Sequence, residues 1–312
     1  MKIATLLPSA TEIVCLLGLE DDLVGVTHEC DYPPSVKGKP VLTGSNISHR
    51  GATGAQIDRH IREHLHEGSS IYRLDRDLLE QLKPDLILTQ ELCDVCAVSY
   101  TEVQQTVRVI FPPAQPGAAV PRVMSLEPTT LGEILESIVE VGRVTGREAK
   151  AKEAVLDLGQ RVKTVAQLGA RVSKRPKVYC MEWVDPPWVA GHWLPGMIDL
   201  AGGVDGLGTP GERSRVVEWE EIRDYGPEVI VMMPCGYTVE EGLARVRETA
   251  FPEWWATLPA VKDRRVSVVN GSAYFNRPGP RIVDGLEILA QLIHPEFDVR
   301  RLQPEEAQPV TF

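Results

Sequence analysis

The sequence predicts an α/β chain of two similar lobes, on three observations. The first is a repeat: Asp77-Leu-Leu-Glu-Gln-Leu-Lys-Pro84-Asp85-Leu-Ile-Leu and Glu220-Glu-Ile-Arg-Asp-Tyr-Gly-Pro227-Glu228-Val-Ile-Val share one pattern. Each places an acid seven residues before a proline, a second acid just after it, and a short apolar run next. The second is alternation of strand-length apolar runs with helix-period segments in both halves, the pattern of sheets covered by helices. The third is length, since 312 residues suit two domains better than one. The expected architecture is two Rossmann-like three-layer α/β/α lobes with parallel sheets, joined by one long helix, with a ligand cleft between the lobes. The expected boundaries are 1–145 for the first lobe, 146–172 for the connecting helix and 173–312 for the second lobe.

In chain order, Lys2 to Leu6 reads as a strand. Ser9-Ala10-Thr11-Glu12 opens a helix that Gly18 ends, with Ser9 or Thr11 as its cap, and Leu23 to Val26 is the next strand. Strand, helix and strand so close together require a right-handed parallel crossover. From Gly38 to Gly54 the pattern dissolves into Gly, Ser and Asn, and Gln56 to His66 is a polar helix. Leu86 to Thr89 is a buried strand and Val107 to Phe111 another. Thr130-Leu-Gly-Glu133 is a capping box, followed by Ile134, Ile138 and Val141 at helical spacing. Glu148 to Leu168 carries Val155, Leu158, Val162 and Val165 on one stripe and is about 30 Å long at the standard rise, long enough to join two lobes as a rigid connector. In the second lobe Lys177 to Met181, Val229 to Met233 and Arg265 to Val269 are strands. Pro195 to Ala201 and Arg281 to Ile293 are helices.

Composition excludes some classes. A net charge of −11 and a pI near 5.2 make electrostatic capture of nucleic acid a poor fit, and no run of Lys and Arg compensates locally. Nothing approaches the roughly 18 apolar residues that span a bilayer, so no transmembrane segment is expected. The apolar part of Met1 to Pro8 is too short for a secretory signal, and the six cysteines show no disulfide framework. As given, the chain is expected in the cytoplasm; removal of a leader would place it in a periplasm or outside the cell.

Ligands bind parallel sheets outside the carboxyl ends of the strands. The residues just past the expected strands are His28, Cys30 and Tyr32; Gln90, Cys93 and Cys96; Trp183 and Trp188; Cys235 and Tyr237; and Tyr274, Phe275 and Arg277. Aromatic residues make up only 6% of the chain, so their gathering here suits a large, rigid, partly apolar ligand. The plain alternative is that about half of these rings complete the lobe cores. Cys93-Asp-Val-Cys96 is open to three readings: an inert buried pair, a redox pair, or part of a site for zinc or another thiophilic metal with Cys30, Cys235 or His28. His60 and His64 share a helical face at metal-binding spacing, although a solvated face accounts for them as well. No Gly-x-Ser-x-Gly elbow, phosphate loop or His-Glu-x-x-His is present. Gly202-Gly203-Val-Asp-Gly206-Leu-Gly208 follows a helix rather than a strand, which argues against a dinucleotide site.

Several motifs together resemble one family. Leu6-Leu-Pro8-Ser-Ala-Thr11-Glu12, Val24-Gly-Val26, Asp31-Tyr-Pro-Pro34, Leu82-Lys-Pro-Asp-Leu86, Asp185-Pro-Pro-Trp188 and Arg277-Pro-Gly-Pro-Arg281 look like the cobalamin-binding substrate-capture proteins of ABC importers. These belong to the helix-linked class that also holds siderophore, haem and metal binders. The resemblance runs from about residue 2 to residue 294. It implies a non-catalytic protein that holds a corrinoid between two lobes, with Tyr32, Trp188, Tyr274 and Phe275 lining the cleft. It also implies an ABC permease as partner, with Asp77 and Glu220 matching the two acids that dock on it; helix-dipole acids explain the same pair equally. The chain departs from the family in Gln90, where an aromatic is usual, in about 30 residues around Gly44 to Ile71 that look inserted, and in the Cys-x-x-Cys. The alternative is a cytoplasmic metal- or thiol-dependent enzyme reusing the same cleft.

Overall fold

Each half of the repeat builds a helix, a stop and a strand. In the computed structural model, which describes residues 1–46, 54–57, 59–60, 72–90, 100–111 and 120–312, helix Arg76–Leu82 ends at Lys83 in the left-handed region (φ 48°). Helix Trp219–Tyr225 ends at Gly226 in the same region (φ 62°). Proline follows in both and cannot continue a helix. Two residues after the proline a central strand starts: β5 is Leu86–Thr89 and β10 is Val229–Met232.

The chain divides into two compact units. The first holds most of Met1–Pro128 together with Glu136–Val155, and the second holds Thr129–Leu135 and Leu156–Phe312. Helix Glu148–Gly169 runs through the division.

The first unit is built on a four-stranded sheet in the order β2-β1-β5-β6, with β1 at Ile3–Thr5, β2 at Leu23–Gly25 and β6 at Arg122–Ser125. Every pairing in it is parallel. Ala4 and Ile87 pack on one face with Leu79 of helix Arg76–Leu82 and with Val103 and Val107 of helix Tyr100–Ile110. A separate antiparallel ladder joins β3 (Thr43–Ser45) to β4 (Tyr72–Leu74), pairing Thr43 with Leu74 and Ser45 with Tyr72. This ladder flanks the stretch that looks inserted.

The second unit carries a six-stranded sheet in the order β12-β11-β10-β7-β8-β9, with β7 at Val178–Trp183, β8 at Trp188–Val189, β9 at Arg215–Val216, β11 at Val266–Val269 and β12 at Ala307–Pro309. Tyr179, Met181, Ile230, Met232, Val266 and Val268 face helices Trp219–Tyr225 and Val239–Glu248. Helices Leu194–Leu200 and Ile282–Ile293 pack together, the latter against β10. Among the described residues no helix is long and apolar enough to cross a membrane.

Three expectations are corrected. Val107 to Phe111 is not a strand but the end of helix Tyr100–Ile110, because Val103, Val107 and Ile110 recur at helical spacing and the first two are buried. The second sheet is mixed rather than parallel: a short turn after β7 can return the chain only as an antiparallel neighbour, and the C-terminal β12 adds an antiparallel edge. Neither Ser9 nor Thr11 caps the first helix, Pro8–Leu16. Its cap is Leu7, without a side-chain bond, and Pro8 with its preset φ sits at the first helical position.

The acids after the two prolines do the same work. Asp85 Oδ2 accepts the Lys2 N–H at 2.7 Å while the Asp85 N–H donates to the Lys2 carbonyl at 2.8 Å. Glu228 Oε2 accepts the Lys177 N–H at 3.0 Å while its own N–H donates to the Lys177 carbonyl at 2.8 Å. The Lys174 ammonium, a hydrogen-bond partner of Glu228, and then the Lys177 N–H hold the Glu228 carboxyl below the usual carboxylate range. A carboxyl depressed in the folded state contributes stability above its unfolded pKa and loses it as pH falls through the folded value. Glu228→Ala is expected to cost about 1–2 kcal/mol near neutral pH, with the gap from wild type closing as pH falls toward about 3. Urea unfolding at several pH values measures this, and a pH-independent gap would contradict it.

Candidate functional site

The carboxyl edge of the first sheet is lined with hydroxyls. Thr5, the last residue of β1, bonds Oγ1 to Oγ1 with Thr11 at 2.6 Å, and both are buried. Thr11 Oγ1 also lies 3.0 Å from the Cys30 thiol, and Thr27 Oγ1 lies 3.3 Å from it. Gln90 follows β5 directly and is buried; its Oε1 has no hydrogen-bond partner among the described residues. His28 is exposed, with Nδ1 2.7 Å from Thr43 Oγ1 and its ring 5.6 Å from that of Tyr72, whose hydroxyl donates to Glu29. Tyr32 is 45% exposed, a large ring left to solvent beside this edge.

The carboxyl edge of the second sheet is aromatic. Trp183 ends β7 and stacks on Tyr237 at 5.6 Å and 20° between planes, with its Nε1 donating to the Asp185 carbonyl at 3.0 Å. The Arg245 guanidinium lies over Tyr237 at 5.6 Å, and Arg245 Nη2 donates to the tyrosine hydroxyl at 3.3 Å. Trp188 stands across from Trp183 on the neighbouring strand, and its buried Nε1 has no partner among the described residues. Cys235 is exposed in the turn after β10. Tyr274 is half-buried with Arg281 5.8 Å from its ring, and Arg277 Nη2 donates to Ser272 Oγ at 3.0 Å.

Phe275 is the exception, because its side chain is fully buried and offers a ligand no surface. Its carbonyl takes the Trp193 Nε1–H at 2.9 Å, and helix Ile282–Ile293 closes on it through Gly285, where a Cβ would sit 2.2 Å from the Tyr274 carbonyl oxygen. Phe275 is thus one of the rings that complete a core.

The metal candidates are placed only in part. Cys93, Cys96 and His64 lie outside the described residues. Cys30 shares its sulfur with two threonines in the first unit, Cys235 is in the second, and His60 is exposed. Among the described residues, no three His, Cys, Asp or Glu side chains gather as a metal site requires. Burial pushes the Cys15 thiol up to about 12 and the Cys180 thiol well above its ordinary value, which leaves both unreactive.

Asp77 and Glu220 occupy equivalent places, each the second residue of a seven-residue helix, and both are exposed. Neither is the cap. Asp75 accepts the Leu78 N–H at 2.9 Å in the first helix, and Glu221 reaches back to the Glu218 N–H at 2.9 Å in the second.

Sequence reasoning missed Thr5, Thr11, Arg245 and an acid inside a strand. Glu182 is half-buried between Met181 and Trp183. Ser214 Oγ accepts the Gly191 N–H at 3.0 Å and so directs its own hydrogen to Glu182 Oε2. Burial raises the Glu182 carboxyl above the usual range, against the Ser214 bond that lowers it. The signal available was the acid itself, in the run Val178-Tyr-Cys-Met-Glu-Trp183.

A carboxyl raised in the folded state favours folding below its unfolded pKa, and that contribution is lost as pH rises through the folded value. Glu182→Gln keeps an acceptor for Ser214 and removes the charge. It is expected to unfold at a higher temperature than wild type near pH 8, with the two converging near about pH 4. Parallel melting curves at every pH would refute this.

Comparison with known proteins agrees with this architecture. A family model described as periplasmic binding protein matches residues 3–272. A Bacillus subtilis (strain 168) protein described as the uncharacterized ABC transporter substrate-binding lipoprotein YvrC is 24% identical over 297 residues, covering 95% of this chain and 80% of that protein. A periplasmic heme binding protein from Pseudomonas aeruginosa superposes with a TM-score of 0.71 at 19% identity, covering 100% of this chain and 98% of that one. The periplasmic vitamin B12 binding protein BtuF of Vibrio cholerae does so with a TM-score of 0.65 at 22% identity, covering 95% and 98%. At these identities the two structures establish a shared fold. The family match spans most of the sequence and both units, and the chain belongs to the periplasmic binding protein family.

Proposed function

We propose that this chain captures a corrinoid, or another ligand of tetrapyrrole size, for an ABC importer and performs no chemistry on it. The observation that carries this reading is the stacked Trp183–Tyr237 pair backed by Arg245 at the carboxyl edge of the second sheet. It is a flat apolar surface, partly exposed, at the edge where α/β sheets bind ligands. Trp188, Tyr274 and Arg277 extend it. On the first sheet His28, Tyr32 and Gln90 offer polar contacts of the kind that the amide periphery of a corrinoid needs.

The importer part of the reading is supported by the family and by the lipoprotein relative, and it places the working protein outside the cytoplasmic membrane. Asp77 and Glu220 are then the permease-docking acids, one per unit, since neither is used as a helix cap. A thiophilic metal at Cys30, Cys93, Cys96 or Cys235 is not needed for this role.

Titration with hydroxocobalamin is expected to shift the corrin absorption bands with micromolar or tighter affinity. Tyr237→Ala or Trp188→Ala should weaken binding on the order of tenfold to a hundredfold, as loss of a buried ring of about 1.5–3 kcal/mol implies. Haemin binding without any cobalamin response would reassign the ligand, and no response to either would reject the reading. With the cognate permease in vesicles, Asp77→Lys with Glu220→Lys should abolish uptake and leave the titration unchanged; undiminished uptake would remove both acids from docking.

A further inference from the structure

The expectation that no basic run compensates the acidic chain fails at one place. Arg171-Val172-Ser173-Lys174-Arg175-Pro176-Lys177 carries four basic residues in seven and no acid, against a net charge of −11. The segment leads from helix Glu148–Gly169 into β7, so it lies at the amino edge of the second sheet, opposite the edge that bears Trp183 and Tyr237. A cavity of about 540 Å³ opens there, with apolar walls from Leu168, Pro176, Ile293 and Phe297 and with Arg171, Lys174 and Arg265 around it. That volume lies within the usual range for small-molecule sites.

Folding explains only part of this positive charge. The last carbonyls of a helix attract cations, and Arg265 Nη2 donates to the Ile293 carbonyl at 2.6 Å and the Leu292 carbonyl at 3.5 Å. Lys174 pairs with Glu228. Among the described residues, however, Arg265 Nε and Nη1 make no hydrogen bond, and the exposed Arg171 guanidinium has no hydrogen-bond or ion-pair partner. The acid on the cavity wall, Glu296, is 70% exposed and its Oε1 lies 3.2 Å from His294 Nδ1. The buried His294 ring accounts for the flat wall, stacking on Phe297 at 4.6 Å and 20° with Nε2 3.1 Å from the Gly202 carbonyl oxygen.

Unspent guanidinium donors beside an apolar wall are the complement of an oxyanion attached to an apolar body, and the planar guanidinium fork matches phosphate oxygens. We propose that this cavity is a second binding site, taking a phosphate ester on an apolar body through Arg171, Lys174 and Arg265. A soluble phosphate ester and the headgroup of an anionic phospholipid present the same chemistry.

The test uses the full chain at low ionic strength, with phenyl phosphate followed by calorimetry and with co-sedimentation on phosphatidylglycerol or phosphatidylcholine vesicles. A soluble source predicts saturable phenyl phosphate binding without vesicle binding. A lipid source predicts co-sedimentation with phosphatidylglycerol, not phosphatidylcholine, relieved by phenyl phosphate. Either result requires at least a tenfold loss in Arg171→Glu, an exposed position outside every ion pair among the described residues, whose unchanged melting curve shows that the fold is intact. Failure of both probes on the wild type, or equal binding by the charge-reversed variant, overturns the proposal. Hydroxocobalamin titration of the same variant should match wild type; corrin failure with phosphate binding intact would reject the transport reading alone.

Discussion

One carboxylate in each unit sets where two neighbouring parallel strands begin. Asp85 takes the Lys2 N–H with its side chain and gives its own N–H to the Lys2 carbonyl; Glu228 and Lys177 repeat the arrangement. Such a two-point clamp at the head of a strand pair fixes register, and register decides which side chains face the core, because a slip of one residue would reverse every one of them. With Ile3 opposite Leu86 and Val178 opposite Val229, the alternation that buries Ala4 with Ile87 and Tyr179 with Ile230 follows. The strands then end toward a common edge, with Thr5 opposite Leu88 in one sheet and Met181 opposite Met232 in the other, two residues before Trp183. The site chemistry beyond those ends depends on the clamp at the opposite edge.

The two edges have different chemistry for a reason visible in their strands. In the first sheet β1 and β5 end on threonine, and the Thr5 hydroxyl at the end of β1 bonds to Thr11 of the following helix, which in turn meets the Cys30 thiol. In the second, β7 runs past its parallel neighbour β10 into a turn back to β8, which lifts Trp183 and Trp188 beyond the core and lets Tyr237 stack on the former. The mixed sheet is therefore what makes an aromatic shelf.

How far the molecule was legible in its sequence follows from how local each feature is. The acid-proline-acid repeat was readable because a helix stop, a clamp and a strand start occupy a dozen consecutive residues. The end of helix Tyr100–Ile110 was misread because Val107, Val109 and Ile110 look like a β-branched strand until Val103, one turn upstream, is counted with them. Phe275 was read as lining because it follows a strand end, yet its burial is set by Trp193, 82 residues away, and by the close approach of Gly285. The Glu182–Ser214 pair spans 32 residues and leaves no pattern at either position. The candidate site was thus legible as a set of strand-end positions, while the partition of those side chains between core and surface was not.

Asp77 and Glu220 illustrate what the fold itself does not require. The helices they belong to are already capped by Asp75 in one case and by the Glu218 and Glu221 pair in the other, so the remaining acids add only a dipole contribution of about 0.3–1 kcal/mol each. Among the described residues neither carboxylate has a hydrogen bond or ion pair. Equivalent exposed acids in both units, nearly dispensable for stability, are positions where charge can be kept for a partner rather than for folding. The same logic applies with opposite sign at Arg171, whose guanidinium is spent on no helix end and no acid among the described residues. In both places the fold leaves charge on the surface that its own stability does not require.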